Sequence, residues 1–583
     1  MRRGYRTPGS SPPLWLENGG VVCPTAARPR SADTPTMMHG NSLSRPRLAP
    51  LWAQALTLLT LPLLLAFAWV GFTASDDAFY LGAATLWIAE FPYVPDQFGL
   101  NRPAVSLPIS AMYLLFGQGE FSSVLSTCLF YVALVLTTLN MLLPVVGLNW
   151  ALGGALLLAT TPLVLLKSTT PSADIPNLFL VVLSFWLFWR ALGRPEGQPR
   201  LLLASGIAAG LAALAHEATV ALLLFYGVLW VLGQVLARTR YLYLAGGFAA
   251  ILLAESLYFW VFAGNPLHRL ALLQQAAAIH DRAASPFLGI AQGGTLHVWA
   301  PIDPIIMLLT HHNFALIGWL ALPALYWALR FDAKRDPAIT RLSRLLMGLA
   351  LCWFLVSALV LGQFILLPRY YMVPIYCLLM LAMLWLAQGL SRKRARLAAG
   401  VVAVVLLVNL LAVAIDYKHP RFAERELVAL LETSEGHIHT DPLTAYNSEW
   451  FCRWAGVDCK RIETSPPGPG VLYLWNPRNT AAPNRLLGPE KLALYQPQAD
   501  WEELRSSAPP PDLPAAAVEF LGIGEILPQA IVRKLAGRGL GAVLYRVPAP
   551  AEGSDVPPAV SSQSARSIRI GFSADSSRKS SPE

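Results

Sequence analysis

Residues 73–87 read TASDDAFYLGAATLW, and they follow an apolar run, Leu51 to Phe72, of the length that a bilayer core requires. Two adjacent acids, Asp76 and Asp77, therefore stand where a hydrocarbon core ends. An acid in that place is either a solvated span end or a functional group held at headgroup level.

Composition narrows the class. Of 583 residues, 55% are hydrophobic and only 14% charged, and the mean hydropathy is +0.48. Such a chain is too apolar for a soluble multidomain protein and reads as a polytopic membrane protein. The net charge of +9 comes from short basic clusters between apolar runs, the pattern of cytoplasmic loops, so no nucleic-acid partner is expected. Cys128, Cys352 and Cys377 lie inside apolar runs and behave as small hydrophobes.

A window of about 20 residues gives about eleven spans. They lie near 51–72, 124–146, 150–166, 177–192, 201–215, 219–236, 242–262, 305–329, 346–367, 371–390 and 397–415. Arg190, Arg194 and Arg200, then Arg238 and Arg240, then the run from Arg330 to Arg344, then SRKRAR at 391–396 all fall on one side. That side is shared with the basic N-terminus and is predicted to be the cytoplasm. Residues 1–48, rich in Arg, Pro and Ser, are expected to be a disordered cytoplasmic tail, with Met37 or Met38 as alternative starts. The first span is too long and too far from the N-terminus for a cleaved signal and reads as a retained anchor.

The opposite face gathers acids, isolated arginines and aromatics: the segment 73–123, the turn TTPSADIP at 169–176, the connection 264–304, LPRYY at 367–371, and everything after Asp416. Topology asks outer loops only to be poor in Lys and Arg, so it does not account for these carboxylates. The order SDDAFYLGAA, NRPAVSLPISAMYLLFG, TPSADIPNLFLVVLSFWLFWRAL, LPRYYMVPIYCLLML resembles the polyprenyl-phosphate-sugar-dependent membrane glycosyltransferases with the C-type fold. These include the protein O-mannosyltransferases and the aminoarabinose transferases that modify lipid A.

The resemblance covers about 51–415 and implies a set of site residues. An acidic pair followed by a tyrosine opens the family's first outer loop and falls on Asp76, Asp77 and Tyr80, with Asp76 the leading catalytic candidate and Asp77 its backup. The family's Lys-Pro-Pro-Leu element maps onto Asn101 to Ala104, where Arg102 keeps a cation but not the lysine. An Asp two residues before a Pro in the second outer loop falls on Asp174 and Pro176, and an Arg-Tyr pair opening a late span falls on Arg369 and Tyr370. Where relatives often carry a lysine after the fifth span, this sequence has His216 and Glu217, which read equally as a satisfied polar pair at a helix end. The implied donor is a polyprenyl-phosphate-linked sugar, the acceptor a lipid, glycan or protein hydroxyl, and the outcome inversion.

Sugar transfer from a lipid phosphate needs the same residue types on chemical grounds. A base must face the attacking hydroxyl and cations must face the departing phosphate. Asp76 can supply the first, Arg102 and Arg369 the second. Each has a plainer reading: Asp174 as an ordinary turn residue, the two arginines as snorkelling side chains. Glu255 lies deep in a span and requires a partner that the sequence does not name.

The connection 264–304 has apolar residues at helical spacing and is expected to form a helix on the outer surface, covering the entrance or merely packing. Beyond Asp416, RELVALLETS reads as an amphipathic helix and GHIHT, GVLYLW and GAVLYRV as strands. His437, His439 and Asp441 alternate along one of these strands and are a candidate metal set, so a divalent metal is possible, with none certain. Cys452 and Cys459 share this polar region and can pair if the compartment is oxidising. The expected fold is an all-α polytopic membrane bundle at 49–415, a small periplasmic α/β domain at 416–547, and a disordered tail at 548–583. A bacterial inner-membrane location follows. A transporter and a noncatalytic membrane scaffold are the competing classes: the first would want paired repeats and mid-span charge, the second no outer acids.

Overall fold

A computed structural model describes residues 49–549 apart from 195, 283–301, 331–335, 360–366, 390–393, 417, 482–483, 485 and most of 511–540. The expected disordered tails at 1–48 and 548–583 fall outside the described residues almost entirely, as do the 283–301 part of the 264–304 connection and part of the basic run at 391–396.

The chain opens with α1 (Leu51–Phe67), α2 (Asp76–Ala89), α3 (Pro103–Phe116), α4 (Glu120–Val146), α5 (Leu148–Thr160), α6 (Pro162–Ser168), α7 (Asp174–Leu192) and α8 (Gln198–Ala215). It continues through α9 (Val220–Leu232), α10 (Tyr241–Ala263), α11 (His268–Arg282), α12 (Asp303–Thr310), α13 (Ile317–Leu329), α14 (Pro337–Leu359), α15 (Met372–Leu384) and α16 (Ala395–Ile415). Among the described residues, seven helices are long and apolar enough to cross a membrane, or eight if the bent pair α5–α6 counts as one span. Three of the remaining expected spans coincide with apolar helices of 10–17 residues, at Leu51–Phe67, Glu217–Leu232 and Ile317–Leu329. At 1.5 Å per residue these fall short of a hydrocarbon core of about 30 Å.

The segment 73–123, expected as a loop, carries α2 and α3. Its apolar stretches are too short to span, yet they fold back on each other: Trp87 donates to the Ser106 hydroxyl at 3.1 Å and Ser110 donates to the Ala84 carbonyl at 2.9 Å. The run at 150–166 is interrupted at Thr161, where Pro162 starts α6 and the axis turns by 65°. Proline has no N–H to donate and fits the first turn of a new helix, which explains a break at this position.

Close helix packing rests on two facing glycines. A Cβ on Gly206 of α8 would lie 2.0 Å from the Leu244 carbonyl oxygen, and one on Gly247 of α10 would lie 2.2 Å from that of Leu203. Small residues let the two backbones touch, which in a lipid setting supplies the attraction that apolar burial cannot. Glu255 of α10 finds its partner on α11, where Arg269 donates at 2.9 Å and also reaches the Ala213 carbonyl at 2.8 Å.

After Asp416 come α17 (Phe422–Thr433), β1 (Ile438–Thr440), α18 (Pro442–Ala455), β2 (Ile462–Glu463), β3 (Leu472–Trp475), β4 (Glu502–Ser507) and β5 (Ala542–Arg546). The strands form one sheet of order β2-β1-β3-β5-β4, parallel among the first three and antiparallel among the last three. The expected helix and three strands are present; α18, β2 and β4 are additional. Cys452 and Cys459 form a disulfide. The candidate metal set does not assemble: Asp441 is buried and caps α18 by accepting from the Leu443 and Thr444 amides, whereas His437 pairs with Glu463 at 3.2 Å. An Asp at a helix start turns its carboxylate onto its own backbone, and that demand overrides strand alternation. Among the described residues, no three His, Cys, Asp or Glu side chains group as metal ligands.

Gly206→Ala is expected to lower the Tm of the detergent-purified protein, because overpacking against a fixed carbonyl costs about 1–3 kcal/mol. Gly246→Ala, which meets open space one residue from Gly247, is expected to leave Tm unchanged or raise it slightly.

Candidate active site

Asp76 and Asp77 start α2, and the helix separates their duties. Asp77 is 3% exposed. Its carboxylate accepts from the Thr73 amide and hydroxyl at 2.5 and 2.8 Å, from the Ser75 amide at 2.5 Å and from the Ala78 amide at 3.1 Å. Burial pushes its carboxyl above the usual range against the pull of these donors. Asp76, by contrast, turns outward with a 45% exposed side chain and meets Arg369 at 2.8 Å. The two acids are therefore not interchangeable: one ties the turn, the other faces solvent.

A cavity of about 540 Å³ opens at this turn. Asp76, Asp77, Tyr80, Arg102, Asp174, His216, Glu217, Arg369 and Tyr370 all line it, so the candidate catalytic and substrate-binding residues share one surface. Arg102 donates to the Tyr80 hydroxyl at 2.6 Å and to both Glu217 oxygens at 3.2 and 3.1 Å. Its guanidinium also lies over the Tyr80 and Phe98 rings. Burial works against both charges of this pair, but the mutual attraction wins, and Glu217 is held down at about 2. His216 Nδ1 accepts from the Ala218 amide at 3.1 Å and lies 3.4 Å from a Glu217 oxygen. Burial lowers its pKa. Its ring stands edge-on to Tyr370 at 6.0 Å. Asp174, in the first turn of α7, acts on Arg369 through space.

The 3–10 turn Pro368–Tyr371 delivers Arg369 and Tyr370. Leu272 and Gln275 of α11 close part of the cavity wall, so the expected surface helix does border the site. Lys167 lines it as well and was not among the residues singled out from the sequence. Its signal was available: a lone lysine at the outer end of an apolar run, against the charge bias of that face.

Residues 101–260 match the family model of the dolichyl-phosphate-mannose-protein mannosyltransferases. No curated protein sequence matches the chain. Among solved structures, the chain is similar to ArnT from Cupriavidus metallidurans bound to undecaprenyl phosphate, with a TM-score of 0.51 at 13% identity over 74% of this chain and 94% of that one. The apo form of the same protein gives 0.50 at 13% identity over 78% and 96%. The chain has the C-type membrane glycosyltransferase fold. A zinc- and sulfate-bound oligosaccharyltransferase from Archaeoglobus fulgidus matches more loosely, at a TM-score of 0.46 and 16% identity over 68% of this chain and 61% of that one. The fold thus brings Asp76 and Arg369, nearly three hundred positions apart, into one cavity.

The Arg102–Glu217 pair has a pH signature. Because the folded pKa of Glu217 lies below the ordinary carboxylate value of 4.5, its stabilisation is complete above that value and is lost as pH falls toward about 2. The Tm difference between wild type and Glu217→Gln is expected to be constant above about pH 5 and to shrink steadily below it.

Proposed function

We propose that this protein is an inverting glycosyltransferase that moves a sugar from a polyprenyl-phosphate carrier to an acceptor hydroxyl at the outer face of the membrane. The observation that carries this reading is the outward-facing Asp76 beside Arg369 in a cavity at the span ends. A base and a phosphate cation thus lie side by side at headgroup level. The fold's likeness to a protein bound to undecaprenyl phosphate supports the donor class.

In the proposed reaction the acceptor oxygen attacks the anomeric carbon from the side opposite the phosphate. The bond from that carbon to the phosphate oxygen breaks, and its electron pair leaves with the polyprenyl phosphate. The acceptor proton passes to Asp76. Incoming phosphate competes with Asp76 for Arg369, so donor binding frees the carboxylate for the acceptor. Asp77 is a positioning residue, since its oxygens are occupied by its own turn. Asp174, Tyr370 and His216 border the sugar.

A hexose or a pentose fits this scheme, and lipid, glycan and protein acceptors all present the required hydroxyl. The sidedness of the basic clusters supports placement in a bacterial inner membrane, with the cavity and the region 416–547 in the periplasm. Against a transporter, the charges named here gather at the span ends rather than at mid-span. A scaffold would not need them at all.

Asp76→Asn is expected to lower turnover roughly 10²–10⁴-fold while leaving donor affinity nearly intact, because a base acts chiefly in the transition state. Arg369→Ala is expected to weaken both, since phosphate charge is present before reaction and grows during it. Radiolabelled sugar transfer and donor titration measure the two quantities; unchanged turnover in Asp76→Asn would refute the mechanism. For the orientation, single cysteines replacing Glu435 and Ser391 are expected to react with an impermeant maleimide from opposite sides, Glu435→Cys from outside and Ser391→Cys only after lysis.

A further inference from the structure

The donor class proposed above brings a phosphate into the cavity, and the structure restricts which cation can receive it. Arg102 is held by both oxygens of Glu217 and by the Tyr80 hydroxyl. Its side chain is 13% exposed, and its guanidinium lies over the Tyr80 and Phe98 rings. Taking it for a ligand would strand the Glu217 carboxylate in a mostly buried place, a costly step. Arg369 is shared with Asp76.

Lys167 differs from both. It stands in the last turn of α6, lines the same cavity, and among the described residues its ammonium makes no ion pair or hydrogen bond. Asp77, which lines the same cavity, is already satisfied by three amides and a hydroxyl. An ammonium on a flexible stem, half-buried at the mouth of a broken span, is a point charge with three donors and no fixed partner. That is the chemistry a lipid phosphate asks for.

We propose that Lys167 binds the phosphate of the lipid-linked donor together with Arg369, and that Arg102 instead braces the cavity wall through Glu217. The inference rests on the donor class of the proposed function and is tested so that the two fail separately. Full-length protein in lipid nanodiscs is titrated with undecaprenyl phosphate and with uncharged undecaprenol, for wild type, Lys167→Met and Lys167→Arg. Wild type is expected to prefer the phosphate. Lys167→Met is expected to lose about tenfold or more of phosphate affinity with undecaprenol affinity unchanged, and Lys167→Arg to recover most of it. Equal phosphate affinity in Lys167→Met and wild type overturns the assignment and leaves the donor class standing. Loss of both ligands in Lys167→Met without recovery in Lys167→Arg shows a purely structural lysine and also overturns it. A wild type that does not distinguish phosphate from alcohol removes the donor class itself.

Discussion

The carboxylate of Asp77 is the knot from which the outer mouth hangs. Burying an ionisable group is tolerable only when it is hydrogen-bonded, and Asp77 meets that condition with donors from its own turn. The turn then has little freedom, and Asp76, one residue away, is left facing outward. The knot is secured from behind by the C-terminal region. Arg421 of the segment leading into α17 donates to the Thr73 carbonyl at 2.7 Å, Glu120 accepts from the Phe72 amide at 2.8 Å and pairs with Arg425, and Phe72 sits against Trp450, Phe451 and Trp454 of α18. The helices α17 and α18 and the residue before them thus hold the loop that carries the acids.

Charge balance is the second constraint. Removing several ions from bulk water is expensive unless each has a counter-charge. The cavity meets this with two acid–arginine pairs, Asp76 with Arg369 and Glu217 with Arg102. The pairs differ in exposure and therefore in lability. Glu217 and Arg102 are 24% and 13% exposed and clamped in two places, whereas Asp76 is 45% exposed and held by one contact. A phosphate exchanges more readily into the second.

The sequence made much of this visible because lipid imposes long apolar runs, and a charged residue at the end of such a run stands out. Asp76 stands out that way, whereas Asp174, Arg369 and the His216–Glu217 pair come from the family resemblance; all border one cavity. Pairing was not visible, because a carboxylate does not announce its partner: Glu255 needed α11 to be folded before Arg269 could be named. The helices α2 and α3 were missed because apolar stretches of fourteen residues satisfy neither a span nor a loop pattern. The metal reading failed at Asp441 for a local reason, since strand alternation ended one residue before the helix it caps. Lys167 lies just before the turn TTPSADIP, outside the motifs that carry the resemblance, and a single lysine at a run end reads equally as a snorkelling side chain.

The break at Pro162 links fold to site. Had α5 run on straight, the stretch after Thr160 would have extended along one span axis, and its terminal lysine would have followed that axis. The 65° turn instead redirects a short helix, whose Thr169 end is tied to the first outer loop: the Gly71 amide donates to the Thr169 carbonyl at 2.9 Å, and the Thr169 hydroxyl donates to the Ala68 carbonyl at 2.8 Å. These two bonds set the segment carrying Lys167 beside the turn carrying Asp76 and Asp77. A missing N–H at one proline therefore brings a cation from the third apolar run to acids that follow the first.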